Sequence, residues 1–300
     1  MLHQHSFRNV SEFCVINASS VDHYFFLNCH LIHHNSPFLV VRLCPVLPKM
    51  VSTELAINEL AINKDATLKL ALDTSWDLVC DSYINGCLDD GDGCVATYNV
   101  SEGTINAGTS SVDLVAGTTG TVAALALNEG GAISDFVVLN CGDSRTLVAG
   151  EPTDGSRNYV RFKTRDHSPS CPVEGERLRA NPKYSDPQCS MNKFWLTVGD
   201  YRYAVSRSLE GSLATSLGIT SESDLFTINL AEISSRVSDG IIIQASDGLF
   251  EVLDNEEVGR DAVEMRKRGL SATDCAQHLC DLAKKKGTSD NVTVIIVYLE

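Results

Sequence analysis

The sequence predicts an α+β fold, a mainly antiparallel sheet structure covered by helices, on three observations. Four short β-prone runs at 121–127, 136–139, 146–149 and 159–163 are separated by turns, a spacing that suits antiparallel sheet rather than alternating parallel units. Two helices with clear start and stop signals occupy the stretch 256–286. Two apolar runs, 240–245 (GIIIQA) and 292–298 (VTVIIVY), each adjoin a polar turn that carries an aspartate, as buried strands bounded by loops do.

Taken in chain order, the first 50 residues differ from the rest. They hold six of the eight histidines and a net charge of +1, from Arg8, Arg42 and Lys49 against Glu12 and Asp22, which leaves −16 on the remainder. Cys29, His30, His33 and His34 could in principle ligate a metal, but no helix or hairpin signal fixes their spacing. Only 37–41 (PFLVV) has the pattern of a buried strand. Residues 1–50 are therefore read as an atypical, poorly specified segment, and 51–300 as the folded domain.

Ser52 or Thr53 can cap a helix with Glu54 in its first turn. Leu68, Leu72, Trp76, Val79 and Tyr83 recur at steps of three and four, which gives that helix one apolar stripe as far as Tyr83. The acidic glycine loop 89–93 fails as a calcium loop, because Cys94 falls where a third ligand belongs and no glutamate closes it. Residues 164–200 are polar and contain four prolines; they read as surface loops around one short helix near 173–180. Asn255 can cap a helix over 256–268 that Gly269 ends. Ser271 with Asp274 forms a capping box for a helix presenting Cys275, Leu279 and Leu282 on one face. Lys284, Lys285, Lys286 and Gly287 close it, with cations at its negative end.

Composition excludes several functions. A formal charge of −15 repels nucleic-acid backbones and anionic membranes, so neither is expected as a partner. No apolar run is long enough to span a bilayer, and the start lacks the basic and apolar regions of a secretory signal. Eleven cysteines, odd in number and without a repeating spacing or a CxxC pair, suit free thiols in a reducing compartment. The expected location is cytoplasmic, nuclear or both.

The chemistry rests on three aspartates. Asp143 lies in the turn 140–145 (NCGDSR) after the strand 136–139, Asp247 follows GIIIQA, and Asp290 precedes VTVIIVY. One such turn is ordinary loop vocabulary. Three, each joined to a buried strand, can be brought to one edge of a sheet. Clustered carboxylates repel, so they need raised pKa values or a bound cation. Oxygen-only ligation favours magnesium or manganese over zinc.

The order and wording of these motifs resemble the metal-dependent protein phosphatases of the 2C type. Residues 117–122 (GTTGTV) resemble the family's GSTA-type strand, and 140–145 its GDSR turn. Asp166 to Pro169 (DHSP) resemble DHKP, 204–209 (AVSRSL) resemble VSRALG, 247–251 (DGLFE) resemble DGLWD, and 289–291 (SDN) match the terminal SDN. The resemblance implies a four-layer αββα sandwich and hydrolysis of phosphoserine and phosphothreonine in a phosphoprotein substrate. It implies Mg2+ or Mn2+ held by Asp143, Asp247 and Asp290, and gives His167 a structural or cleft-lining place.

The chain also departs from that pattern. The family's phosphate-binding arginine segment and its DGHGG motif, whose aspartate bridges two metals, have no counterpart. Where DGHGG is expected, 42–48 (RLCPVLP) carries no carboxylate. No catalytic residue is therefore assigned, and the N-terminal part of the domain is expected to be incomplete. Loss of a contact to transition-state charge costs about 10²–10³ in rate. Three readings follow: a protein phosphatase, a catalytically impaired phosphatase-like binding or regulatory module, or a phosphohydrolase of small molecules. The oligomeric state is not legible.

Overall fold

The computed structural model describes residues 13–17, 23–31, 64–84, 88–89, 95–99, 104–107, 110–113, 118–127, 133–185, 187, 189–198, 201–209 and 217–299. Two antiparallel sheets stack face to face. The first has the order β1-β2-β7-β8-β14, with β1 Phe13–Asn17, β2 His23–Leu31, β7 Thr118–Leu127, β8 Ile133–Cys141 and β14 Asp224–Ile228. The second has the order β10-β9-β15-β16, with β9 Arg145–Pro152, β10 Val160–Lys163, β15 Val237–Ala245 and β16 Val294–Tyr298.

Alternation along the strands explains the continuous apolar runs. Val148, Ile242 and Ile295 point inward to meet Ala123, Leu125, Phe136 and Val138 of the first sheet. Their neighbours Leu147, Ile241, Ile243, Val294 and Ile296 face the other way, onto helices. A strand covered on both sides shows no polar alternation. Each fully buried Leu, Ile or Val contributes about 1.5–3 kcal/mol before entropy is counted.

The helices on the second sheet are α5, Asn255–Lys267, and α6, Ala272–Lys286. They bury Val258, Ala262, Val263, Cys275 and Leu279 against it. On the first sheet, α1 (Lys64–Ile84) buries Leu68, Leu72 and Trp76, and the short α3 (Leu230–Ser234) follows β14. The Trp76 ring fills the space over Gly120, where a Cβ would stand 3.0 Å from it, and its indole N–H donates to the Ser221 carbonyl at 2.8 Å. The architecture is thus the expected αββα sandwich.

Several elements differ from the sequence reading. The polar stretch 164–200 contains, besides α2 (Pro172–Arg179), the strands β11 Cys189–Met191 and β12 Leu196–Val198, which form a three-stranded sheet with β13 Tyr201–Tyr203 just beyond it. Its strands are too short for periodicity to reveal. They gather around Leu178, Leu196, Tyr203, Leu217 and Ile219, which form a separate small core. Within the first 50 residues, β1 and β2 pair with one another and β2 pairs with β7, so Cys29 and His30 belong to a strand. Their aromatic and β-branched content favours strand, but only the partner β7 makes the pairing. The segments 37–41 and 52–63, with their expected strand and cap, lie outside the described residues, as do His33 and His34. A four-stranded meander, β3 Leu88–Asp89, β4 Val95–Asn99, β5 Thr104–Ala107 and β6 Ser110–Asp113, was not foreseen.

The cap of α5 is Asp254, not Asn255: its carboxylate accepts the Glu257 N–H at 2.8 Å. Ser271 caps α6 as expected, accepting the Asp274 N–H at 3.1 Å, and Gly287 ends it in the left-handed conformation.

Candidate functional site

The site forms where the sheets' ends meet. Gly142 and Asp143 lie in the turn that carries the chain from β8 in one sheet to β9 in the other. That turn requires glycine: Gly142 has φ +125°, and a Cβ there would stand 2.3 Å from Thr119. Asp247 opens the one-turn helix α4, Asp247–Phe250, immediately after β15. Asp290 sits just ahead of β16, the strand paired with β15 in register Ala245 to Val294. Ladder pairing therefore forces Asp247 and Asp290 to the same edge.

Ser246 locks the two segments together. Its hydroxyl donates to the Asn291 carbonyl at 3.1 Å and accepts the Thr293 N–H at 3.0 Å. Gly248 permits the close approach, since a Cβ there would meet the Asn291 carbonyl oxygen at 2.4 Å. Asp247 accepts the Gly248 N–H at 3.0 Å, and Asp290 accepts the Asn291 N–H at 2.7 Å. Both carboxylates are thereby oriented by their own turns.

Carboxylate oxygens of Asp247, Glu251 and Asp290 all lie within 4.8 Å of one another. Asp143 is outside that group but within its field. Burial, then the charges of Asp247, Asp166 and Asp290, push its carboxyl well above the usual carboxylate range. Of the three aspartates singled out in sequence, the fold thus brings two into contact range and couples the third to them electrostatically. Glu251 and Asp166 complete the acidic cluster. The step of four from Asp247 to Glu251 is the signal that could have found the glutamate, because residues four apart share a helical face.

Asp166 is held from the other side. Arg145 donates to both its oxygens, Nε to Oδ1 at 2.7 Å and Nη2 to Oδ2 at 2.5 Å, and donates from Nη1 to Asn255 Oδ1 at 2.6 Å. The same guanidinium lies 4.2 Å from the centre of the Phe250 ring. One side chain thus ties the β9 start, the Asp166 loop, α4 and the start of α5. No sequence pattern announces that convergence.

His167 is fully buried. Its Nδ1 accepts the Gly142 N–H at 3.1 Å, and its Nε2 lies 3.2 Å from Asp224 Oδ2. It supports the aspartate turn from behind. The close approach of His167, with Arg165 and Arg207 adding to it against the cost of burial, holds Asp224 well below the usual carboxylate range. Arg207 continues from Asp224 to buried Glu174, donating to Oε1 at 2.6 Å. Against the penalty of burial, hydrogen bonds from Arg207, Arg177 and Ser206 hold Glu174 at about 2. The motif 204–209 therefore serves this buried ion network.

The hard, oxygen-only donor set of Asp247, Glu251 and Asp290 fits a divalent cation of the magnesium or manganese type. Crowded like charges that cost energy when bare become favourable around a cation.

Comparison with known proteins places this geometry. The protein phosphatase 2C family model matches residues 59–292. Protein phosphatase 1A of Homo sapiens is 31% identical over 165 residues, which covers 53% of this chain and 39% of that protein. Protein phosphatase 1B of Mus musculus is 29% identical over 165 residues, 53% of this chain and 38% of that protein. A probable protein phosphatase 2C of Arabidopsis thaliana is 30% identical over 164 residues, 53% and 47% of the two chains. The matched stretch thus spans less than half the length of these relatives. Among solved structures, a serine-threonine phosphatase 2C from Toxoplasma gondii superposes with TM-score 0.63 at 17% identity, over 93% of this chain and 85% of that one. A Caenorhabditis elegans sex determining protein superposes with TM-score 0.64 at 16% identity, over 98% and 62%. At those identities the likeness shows the fold.

Proposed function

The chain belongs to the protein phosphatase 2C family, and from that premise we propose that it hydrolyses phosphoserine and phosphothreonine in proteins with magnesium or manganese. The observation that carries the reading is the Asp247, Glu251 and Asp290 cluster, with their oxygens within 4.8 Å of one another. Asp247 and Asp290 would hold the ion, Glu251 would complete its oxygen shell, and Asp143 with Asp247 would hold a further, weaker one. Such ions supply Lewis acidity that lowers the pKa of a water and offsets charge on phosphoryl oxygens. The chain's own part is to fix these carboxylates at strand ends, where Ser246 and Gly248 leave them little freedom. Asp143, its carboxyl raised by burial and by Asp247, takes a proton readily when no cation is near.

A second reading, an impaired phosphatase-like regulatory module, is favoured by 42–48, which carries no carboxylate where the family places its bridging aspartate. One experiment separates the two. Purified protein is assayed on a phosphothreonine peptide with manganese, with Asp247→Asn and Asp290→Ala variants alongside, and manganese affinity is measured by calorimetry. The proposal expects metal-dependent hydrolysis that Asp247→Asn lowers at least about 100-fold, and weaker manganese binding without unfolding in Asp290→Ala. Manganese binding with no hydrolysis by the unaltered chain supports the regulatory reading. Unchanged binding in Asp290→Ala removes that residue from the site.

A further inference from the structure

A concavity of about 600 Å³ opens beside α2, lined by residues from the 169–172 turn, α2, Tyr184 and 189–193. Among the described residues its lining contains Arg179 and Lys193 and no carboxylate, in a chain of net charge −15. Among the described residues, neither cation is matched by an acidic partner. The N-terminus of α2 faces the same opening: its cap residue Cys171 lines the concavity and makes no side-chain capping bond. Such an end carries partial positive charge.

Exposed hydrophobic side chains follow the lining residues in the chain: Val173 next to Pro172, and Phe194 and Trp195 next to Lys193. They are 54%, 60% and 42% exposed, three of the four large hydrophobic side chains that stand exposed among the described residues. Lys193 lies 5.4 Å from the centre of the Phe194 ring, so cation and aromatic faces are presented together. Exposed aromatics bordering a positive pocket are what a partner segment with acidic and aliphatic side chains complements.

The concavity is also anchored to the carboxylate cluster. Pro169, on its wall, follows Asp166 by three residues, at most about 11 Å of extended chain. His167 between them is fixed by its N–H to the Gly142 carbonyl at 2.9 Å and by its ring to the Gly142 N–H.

We propose that this concavity is a docking pocket for an acidic, aliphatic-bearing segment of the phosphoprotein substrate, separate from the phosphorylated residue itself. Arg179, Lys193 and the α2 N-terminus receive its carboxylates, while Phe194 and Trp195 pack on its apolar side chains. The proposal rests on the phosphatase reading for the identity of the partner, and on the pocket alone for the binding. Docking beside the metal cluster raises the local concentration of the phosphorylated residue.

The test is fluorescence anisotropy on the full chain with a fluorescein-labelled peptide of repeating Glu-Leu-Asp, and with its Gln-Leu-Asn and Lys-Leu-Lys counterparts. The acidic peptide is expected to bind, more weakly as salt rises. Lys193→Glu and Trp195→Ala, both at exposed positions, are each expected to weaken binding about tenfold, and Asp247→Asn to leave it unchanged. Appending the same peptide to a phosphothreonine substrate should lower KM without raising kcat, and Lys193→Glu should abolish that gain. Equal binding of the three peptides, or binding that Lys193→Glu leaves intact, overturns the pocket. Binding without hydrolysis leaves the pocket standing and sinks the phosphatase reading. Hydrolysis without peptide binding does the reverse.

Discussion

Gly248 shows how a single residue decides whether the acidic cluster can exist. Its missing side chain lets α4 approach the Asp290 turn, where a Cβ would lie 2.4 Å from the Asn291 carbonyl oxygen. Gly248→Ala must push the two motifs apart, and forced overpacking of this kind costs about 1–3 kcal/mol. We expect a lower urea midpoint together with weaker manganese binding in calorimetry. An alanine variant with both properties unchanged would show that the approach is not constrained. Asp247 and Asp290 were legible because each ends a buried apolar run in a motif of unusual wording. Glu251 was visible only as a carboxylate where aspartate was expected. Arg145, which grips Asp166 through both oxygens, was invisible, since its partners lie 21 and 110 residues away in the chain.

At the level of elements, the strands and helices best marked by pattern were the ones read well. The runs 136–139, 146–149 and 240–245 all fall inside β8, β9 and β15, because strands buried on both faces are continuously apolar. The meander over 88–113 and the small sheet over 189–203 leave no pattern in the sequence. Two- to five-residue strands are shorter than any periodicity can register, and their existence depends on neighbours. The α5 boundary turned on one residue. Asp254 and Asn255 are both good caps by type, and the fold assigns the cap to Asp254 while Asn255 accepts from Arg145. Asp254→Ala is accordingly expected to lower stability by about 1 kcal/mol, read as a shift in the urea midpoint. Should the midpoint stay put, Asp254 is not the cap.

The whole molecule is joined at its small-core side by charge. Glu174 on α2, Arg177, Arg207 and Asp224 on β14 form a chain of ion pairs at 2.6–3.2 Å, and Asp224 lies 3.2 Å from Nε2 of His167 behind the Asp143 turn. Glu174 is held at about 2, below its ordinary 4.5. A carboxylate depressed on folding stabilises the protein fully above its unfolded value, and that contribution is lost as pH falls toward the folded one. Stability should therefore decline between about pH 4.5 and 2, by an amount on the order of 2 kcal/mol from this group. Glu174→Gln should flatten that part of the profile while costing about 3–5 kcal/mol near neutrality, because Arg207 and Arg177 lose their buried partner. Urea midpoints across the acid range check both statements, and an unaltered slope in the variant would refute the assignment.

By itself the sequence determined the α+β class, the main strands and helices, the family and the aspartates at strand ends, because each is written in local periodicity or in motifs a few residues long. Tertiary structure alone decided which carboxylates stand together. Sheet register brings Asp247 and Asp290 to one edge, a turn between sheets sets Asp143 beside them, and one helical turn adds Glu251. It also decided that a concavity lined by Arg179 and Lys193 opens in an acidic chain. Such proximity is fixed by packing between residues far apart along the backbone, and no local pattern encodes it.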